Sequence, residues 1–311
     1  MRLSAKASHG KKHESVLFAR LYEMPQSGIM EIIMRIGGEI KKSYQNPEEW
    51  LQRIREMNYS SVLTPVGHDA PLDTIKAYRE CARDNGIIIG EVGAWRNPMA
   101  LDAEEAGQNK KYCMDRLALA EELGANCCVN IAGSRGELWD GFYEENYDED
   151  VYALIVDTTR DIIDSVNPKR TFYTLEPMPW MMPDSPDAYL KMIQDIDRKG
   201  FAVHLDFTNM INCPERFLKQ DSFIEECFRK LGPWIKSIHA KDVIMDKVFP
   251  CVIREVMPGR GVIDYRKVVH YFEKLGKDTT VFVEHLNTHE EYMEAAGFIR
   301  RIAENENIRV M

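Results

Sequence analysis

No apolar run in this 311-residue chain approaches the length of a membrane span. The opening residues, MRLSAKASHGKKHESVLFARLYEMPQSG, carry positive charge but lack the continuous apolar stretch of a signal peptide. No membrane partner is therefore expected, and the expected location is cytoplasmic. A basic excess is missing too: 50 Asp and Glu face 40 Lys and Arg, for a net charge of −10. Nucleic-acid binding draws most of its affinity from cations at phosphates, so no nucleic acid is expected as partner and a small molecule is. The seven cysteines are odd in number and include no CxxC or CxxH pair, which argues against a disulfide framework and a structural zinc site. They read as reduced, mostly buried thiols. Finally, no GxGxxG or GxxxxGK[ST] turn supports a dinucleotide or P-loop fold.

What is present is an alternation of short apolar runs with amphipathic stretches, and the composition, 44% hydrophobic and 29% charged, is that of an ordinary globular protein. Eight strands are expected, at 29–36, 59–64, 87–92, 126–131, 171–176, 201–206, 235–239 and 280–284. Helix punctuation lies between them. Asn46-Pro47-Glu48-Glu49 offers a cap, a proline at the first helical position and an acidic first turn, while Asp102 to Glu105 and Thr288 to Glu291 read as capping boxes. Gly86, Gly124, Gly232 and Gly276 stand where helices should end. Eight such units specify an α/β fold of the (β/α)8 TIM-barrel type, a single domain over 26–311 preceded by an extension, 1–25, of unassigned role.

Four ionisable residues stand at the carboxyl ends of the last four expected strands: Glu176, Asp206, His239 and Glu284. A parallel barrel brings strand ends together at one face, where its catalytic residues sit. Three carboxylates about 4 Å apart repel by roughly 4 kcal/mol per pair at an effective dielectric near 20, so protons or a divalent cation must offset the charge. The neutral imidazole as fourth ligand favours the cation. Three oxygens and one nitrogen suit manganese first, with cobalt, magnesium or zinc as alternatives. The competing reading of each acid alone is a helix cap.

The segments TLEP (174–177), HLD (204–206), HAKD (239–242), PGRGVIDY (258–265) and VEH (283–285) resemble the xylose-isomerase-like barrels, the sugar phosphate isomerase/epimerase superfamily, over roughly 80–310. The resemblance implies one divalent ion on Glu176, Asp206, His239 and Glu284, with Glu176 and Glu284 doubling as acid and base beside a bound sugar. It implies an isomerase or epimerase that abstracts a proton next to a carbonyl through a metal-stabilised enediolate. The alternatives are a lyase of the same fold, either an inosose-type dehydratase or the catalytic subunit of a C-glycoside deglycosidase, and a non-catalytic sugar-binding barrel. Departures from the family patterns prune these. Asn209 replaces a histidine shared by endonuclease IV-like enzymes and ketose 3-epimerases, and Met245 replaces an arginine of the latter. A trinuclear DNA-cleaving site is thereby disfavoured, and a close tagatose-epimerase-type function is in doubt.

Further candidates are weaker. His68 follows the second strand, as a base, a sugar ligand or an ordinary loop histidine. Lys241 shares parity with His239, either to hold substrate oxygen or to pair with Asp242. For substrate binding, His204 shares the inward face of Asp206, Arg260 sits between two glycines, Trp95, Trp139 and Trp180 follow strand ends, and Asn130 lies near the end of the fourth strand. His285 and His289 are expected to face helices or solvent. The expected partner is a small sugar, keto-sugar or polyol, with an aromatic aglycone compatible with the Trp- and Met-rich TLEPMPWMMP loop. A homo-oligomer, dimer or tetramer, is expected, with a hetero-oligomer as the alternative.

Overall fold

The structure, a computed structural model, describes residues 34–276 and 278–311. The N-terminal extension and the first residues of the earliest expected strand, 29–33, lie outside the described residues. Eight parallel strands form a nearly closed barrel: β1 (Arg35–Gly38), β2 (Ser61–Leu63), β3 (Ile88–Gly93), β4 (Cys127–Asn130), β5 (Phe172–Leu175), β6 (Phe201–Leu205), β7 (Ile235–Ala240) and, last in sequence, β10 (Thr280–Val283). Hydrogen-bonded neighbours run β1-β10-β7-β6-β5-β4-β3-β2. Across the remaining seam, between β1 and β2, the Ser60 N–H donates to the Ile36 carbonyl at 3.1 Å.

That seam explains why β1 runs through two glycines that ordinary strand propensity disfavours. A Cβ on Gly37 would lie 2.3 Å from the Ser61 carbonyl oxygen and 2.7 Å from the Phe282 ring, so only a glycine fits between the Ser61 backbone and that ring.

The helices on the outer surface follow their caps. In α1 (Pro47–Met57) the Asn46 side chain accepts from the Glu49 N–H, and Trp50, Ile54 and Met57 face inward. Helix α2 (Leu72–Asp84) ends ahead of Gly86 at φ +67°, and α3 (Ala103–Leu123) is capped by Asp102 and closes on Gly124 at φ +70°. After α4 (Glu149–Val166) and α5 (Pro186–Ile196) comes the pair α6 (Pro214–Leu218) and α7 (Gln220–Leu231). There Gly232 keeps right-handed helical angles and continues into a short 3-10 turn instead of stopping the chain. Helices α8 (Tyr265–Lys274) and α9 (His289–Asn305) complete the ring, and Thr288 and Glu291 form a reciprocal capping box. Among the described residues no helix is long and apolar enough to cross a membrane.

One element is unannounced by the alternation. An antiparallel hairpin, β8 (Asp242–Asp246) and β9 (Val252–Val256), rises from the carboxyl end of β7. Asp242 anchors its base. Its carboxylate accepts backbone N–H groups from Val243, Gly259, Gly261 and Ile263 at 2.8–3.0 Å, and burial raises its pKa. The PGRG segment is the loop wrapped around that carboxylate: a Cβ on Gly261 would lie 2.2 Å from Asp242 Oδ1.

Replacing Gly37 by alanine should destabilise the chain by about 2 kcal/mol or more, because the obstructing atom is backbone and cannot rotate away. Gly107→Ala, at a site in α3 with no heavy atom within 4 Å, should do the opposite by up to about 1 kcal/mol. Parallel melts of the two variants check the pair; equal stability of wild type and Gly37→Ala would show that the seam is looser than drawn.

Candidate metal centre and cavity

The carboxyl ends of β5, β6, β7 and β10 place Glu176, Asp206, His239 and Glu284 together. One ligand atom from each lies within 4.8 Å of all the others, a set that could hold a metal ion. His239 Nδ1 is 3.1 Å from Glu176 Oε1, 2.9 Å from Glu284 Oε2 and 3.9 Å from Asp206 Oδ2. The donors fit a divalent ion by their spacing. Ligands each about 2.0–2.4 Å from a shared ion lie no more than about 4.8 Å apart. Asp206 Oδ2 and Glu284 Oε2 are also buried with no aligned hydrogen bond, their charge met by the Lys241 ammonium at 2.8 Å from each.

Lys241 sits inside the same cluster, 1% exposed. Its Nζ lies 2.8 Å from both Asp206 Oδ2 and Glu284 Oε2, 3.5 Å from Glu255 Oε2 and 3.8 Å from Glu176 Oε1. Asp242, the partner in the alternative reading of Lys241 from sequence, is occupied by backbone donors instead. The lysine reaches the strand-end acids because it follows β7 directly, before the chain turns into the hairpin. Electrostatics follow from this packing. Burial alone would strip the charges. The acids outweigh it at His239 and Lys241, whose pKa values are both raised well above their usual range; at Asp206, Lys241 and His239 in turn outweigh burial, and the carboxyl titrates low.

Behind the four ligands lies a residue that sequence reasoning missed. Glu91 on β3, 2% exposed, places one carboxylate oxygen 3.3 Å from His239 Nε2 and the other 3.3 Å from His204 Nδ1. Burial raises its pKa, but the His239 and His204 imidazoles prevail and hold it at about 2. With Nε2 facing Glu91, His239 presents Nδ1 to the acids. The available signal was a lone charge in the apolar run IIIGEVG.

A cavity of about 750 Å3 opens above the cluster, with Glu176 and Glu284 in its lining. Of the substrate candidates, Trp95, Trp139 and Trp180 line it. His204 lies beneath, wholly buried, its ring 4.1 Å from that of His239 and its Nδ1 2.6 Å from Ser237 Oγ. Asn130 is buried in the wall, bonded through its amide to the Arg96 backbone and the Tyr173 hydroxyl. Arg260 points away, ion-paired with Glu294 on α9, and His68 is exposed with its ring against Tyr112. Neither of these two belongs to the cavity lining. His285 does: Glu255 holds it at 3.0 Å and raises its pKa, while Asn209 donates to Glu176 Oε1 at 3.2 Å and to the Pro177 carbonyl at 3.0 Å.

With the geometry in hand, three comparisons bear on the chain. The sequence profile of the xylose isomerase-like TIM barrel family matches residues 45–302. Among curated proteins, no match was found. Solved structures share the fold. A xylose isomerase-like TIM barrel protein from Mycobacterium smegmatis in complex with magnesium superposes with a TM-score of 0.62 at 16% identity, over 89% of this chain and 98% of that one. The probable 3-DHS dehydratase involved in petrobactin synthesis from Bacillus anthracis gives 0.65 at 14% identity, over 88% and 100%. The 3-keto-D-glucoside 4-epimerase of E. coli, in its apo form, gives 0.60 at 16%, over 86% and 99%.

Two measurements test the centre. Elemental analysis of chain equilibrated with manganese and desalted should give about one divalent ion per chain, and the Glu176→Gln/Asp206→Asn double variant should give none; an ion retained in that variant would place the site elsewhere. Lys241→Met should destabilise the metal-free chain by about 3–5 kcal/mol, since it strands buried carboxylates. Added Mn2+ should therefore raise its melting temperature by more than it raises that of wild type, a difference read by differential scanning calorimetry.

Proposed function

The chain belongs to the xylose isomerase-like TIM barrel family, and on that premise we propose that it is a divalent-metal-dependent enzyme that moves a proton at a carbon next to the carbonyl of a sugar, keto-sugar or polyol-derived ketone. The observation that carries the reading is the pair Glu176 and Glu284, 3.1 and 2.9 Å from His239 Nδ1 and both lining the cavity.

Glu284 is one candidate base. Burial works against its charge, but His239 and Lys241 outweigh it and hold its pKa well below the ordinary range, so the carboxyl is ionised. Glu176, fixed by Asn209, stands on β5 rather than β10 and so approaches a bound substrate from another side. A proton taken by one carboxylate and returned by the other gives epimerisation or isomerisation; where a β-substituent leaves before return, the outcome is elimination. The Lys241 ammonium, buried behind the cavity lining and 2.8 Å from Glu284, offsets from behind the negative charge that the floor carries as the C–H bond breaks. A divalent ion on the four ligands, manganese by the three-oxygen, one-nitrogen donor set, would supply Lewis-acid polarisation of the carbonyl. The neighbours named as a keto-glucoside epimerase and a dehydratase are consistent with both outcomes on this fold. Seven free thiols support a reducing, cytoplasmic setting.

Incubating the metal-loaded chain with keto-sugars and inososes in D2O should place deuterium at the carbon next to the carbonyl or expel a β-group. Glu176→Gln and Glu284→Gln should each slow this by about 100-fold or more, as for loss of a positioned base. Turnover of a substrate without exchange or elimination, at full rate in both variants, would rule the reading out.

A further inference from the structure

The cavity changes character with height, and two of its walls change in the same sense. On one wall, Glu255 at the inner end of β9 touches Lys241 and His285. Ile253, which shares its face one pleat or about 7 Å further out, is apolar, and Cys251 follows toward the hairpin tip. On a second wall the chain leaves the ligand Glu176 and passes at once into Met178, Pro179 and Trp180. The floor can therefore satisfy hydroxyls and a carbonyl, while the outer part is walled largely by Met178, Pro179, Trp180 and Ile253, with Asp140 and Asn212 as the polar side chains beside them.

The outer wall is also rigid and flat. The Trp180 indole N–H donates to the Asp140 carbonyl at 2.8 Å, and Asn146 and Asn212 donate to the Trp180 and Pro179 carbonyls at 3.3 and 2.9 Å. Phe142 meets the Trp180 ring edge-on at 6.5 Å. Even so, Trp139 and Trp180 remain 37% exposed and Phe142 80%. The Trp180 indole, held in place and left partly bare, is a platform for another π system. The volume of about 750 Å3 lies in the range that encloses a drug-sized ligand rather than a lone monosaccharide.

Resting on the sugar reading above, we propose that the outer half of the cavity is a subsite for a planar aromatic group joined to the sugar, so that the substrate is an aryl-conjugated sugar with its carbohydrate on the carboxylate floor and its ring against Trp180. Specificity is then divided. The floor selects oxygen functions for proton transfer, and the Trp180 wall selects the arene and sets affinity.

Isothermal titration of the full chain with 1-naphthyl β-D-glucopyranoside, methyl β-D-glucopyranoside and methyl β-cellobioside tests this without turnover. The naphthyl glycoside should bind at least about 10-fold tighter than either methyl glycoside. Trp180→Ala should shrink that ratio to about 2-fold, whereas Trp180→Phe keeps most of it. Ile253→Asp, on the hairpin wall, should shrink it too and carries the test if Trp180→Ala does not fold. Equal binding of the naphthyl and methyl glycosides overturns the subsite, as does a cellobioside that binds as tightly as the arene or a ratio unchanged in Trp180→Ala and Ile253→Asp. Failure here is separable from failure of the proton-transfer reading. Deuterium exchange on plain keto-sugars without aryl preference removes only the subsite, and aryl preference without exchange removes only the chemistry.

Discussion

Charge balance at the carboxyl end of the barrel is the constraint to which the surrounding structure answers. Glu176, Asp206, Glu284, Glu91 and Glu255 are drawn into a small volume: Glu91, Glu176 and Asp206 are buried, and Glu284 and Glu255 lie 2.8 and 3.5 Å from Lys241 Nζ. At an effective dielectric near 20, each pair of such acids about 4 Å apart costs roughly 4 kcal/mol. Lys241 and His239 answer that cost from the interior, one after the other along β7 and its exit. Both accept full burial because the acids raise their pKa values, and the acids stay ionised because the cations are there. Removing either side leaves uncompensated charge out of water, which is why the cluster behaves as a unit.

This unit imposes demands on its scaffold. His239 must offer Nδ1, and Glu91, across the barrel on β3, fixes that choice from behind. The pairing register of β6 against β7 shifts between Val203 and His204, so that Asp206 and His239 come level at the rim. Asp242 then turns the chain away from the cluster. By gathering four backbone N–H groups it shapes the PGRG loop and starts the hairpin, and it is unavailable to neutralise Lys241. The hairpin in turn delivers Glu255 back to Lys241 and His285 and raises one wall of the cavity.

Function emerges from this combination of a polar floor with an apolar wall. The floor concentrates base, cation and candidate metal ligands in a few ångströms, an arrangement suited to moving a proton where negative charge develops. The wall, built from the loop after β5 and the hairpin after β7, meets the floor where Glu255 touches Lys241 and His285, and above that point it governs what can be brought to the floor.

Much of this was legible in the sequence, for definite reasons. The apolar runs, the Asn46 and Thr288 caps and the glycines after α2 and α3 are local signals, and each specifies local structure whatever lies across the barrel. The four rim residues were legible because a strand-end position is itself a sequence feature. What stayed hidden depends on partners remote in the chain. That β1 runs on through Gly37 and Gly38 makes sense only when Ser61 and Phe282 are seen against it. Glu91 gains meaning from two histidines more than a hundred residues away, Asp242 is claimed by a loop rather than by Lys241, and Arg260 and His68 are carried outward by the elements that bear them. The sequence by itself determined which residues could form strands, helices and ligands, because those are properties of spacing and residue type. Only the tertiary structure decided which charges face each other, because burial and Coulomb energies depend on distances across the fold that no local pattern contains.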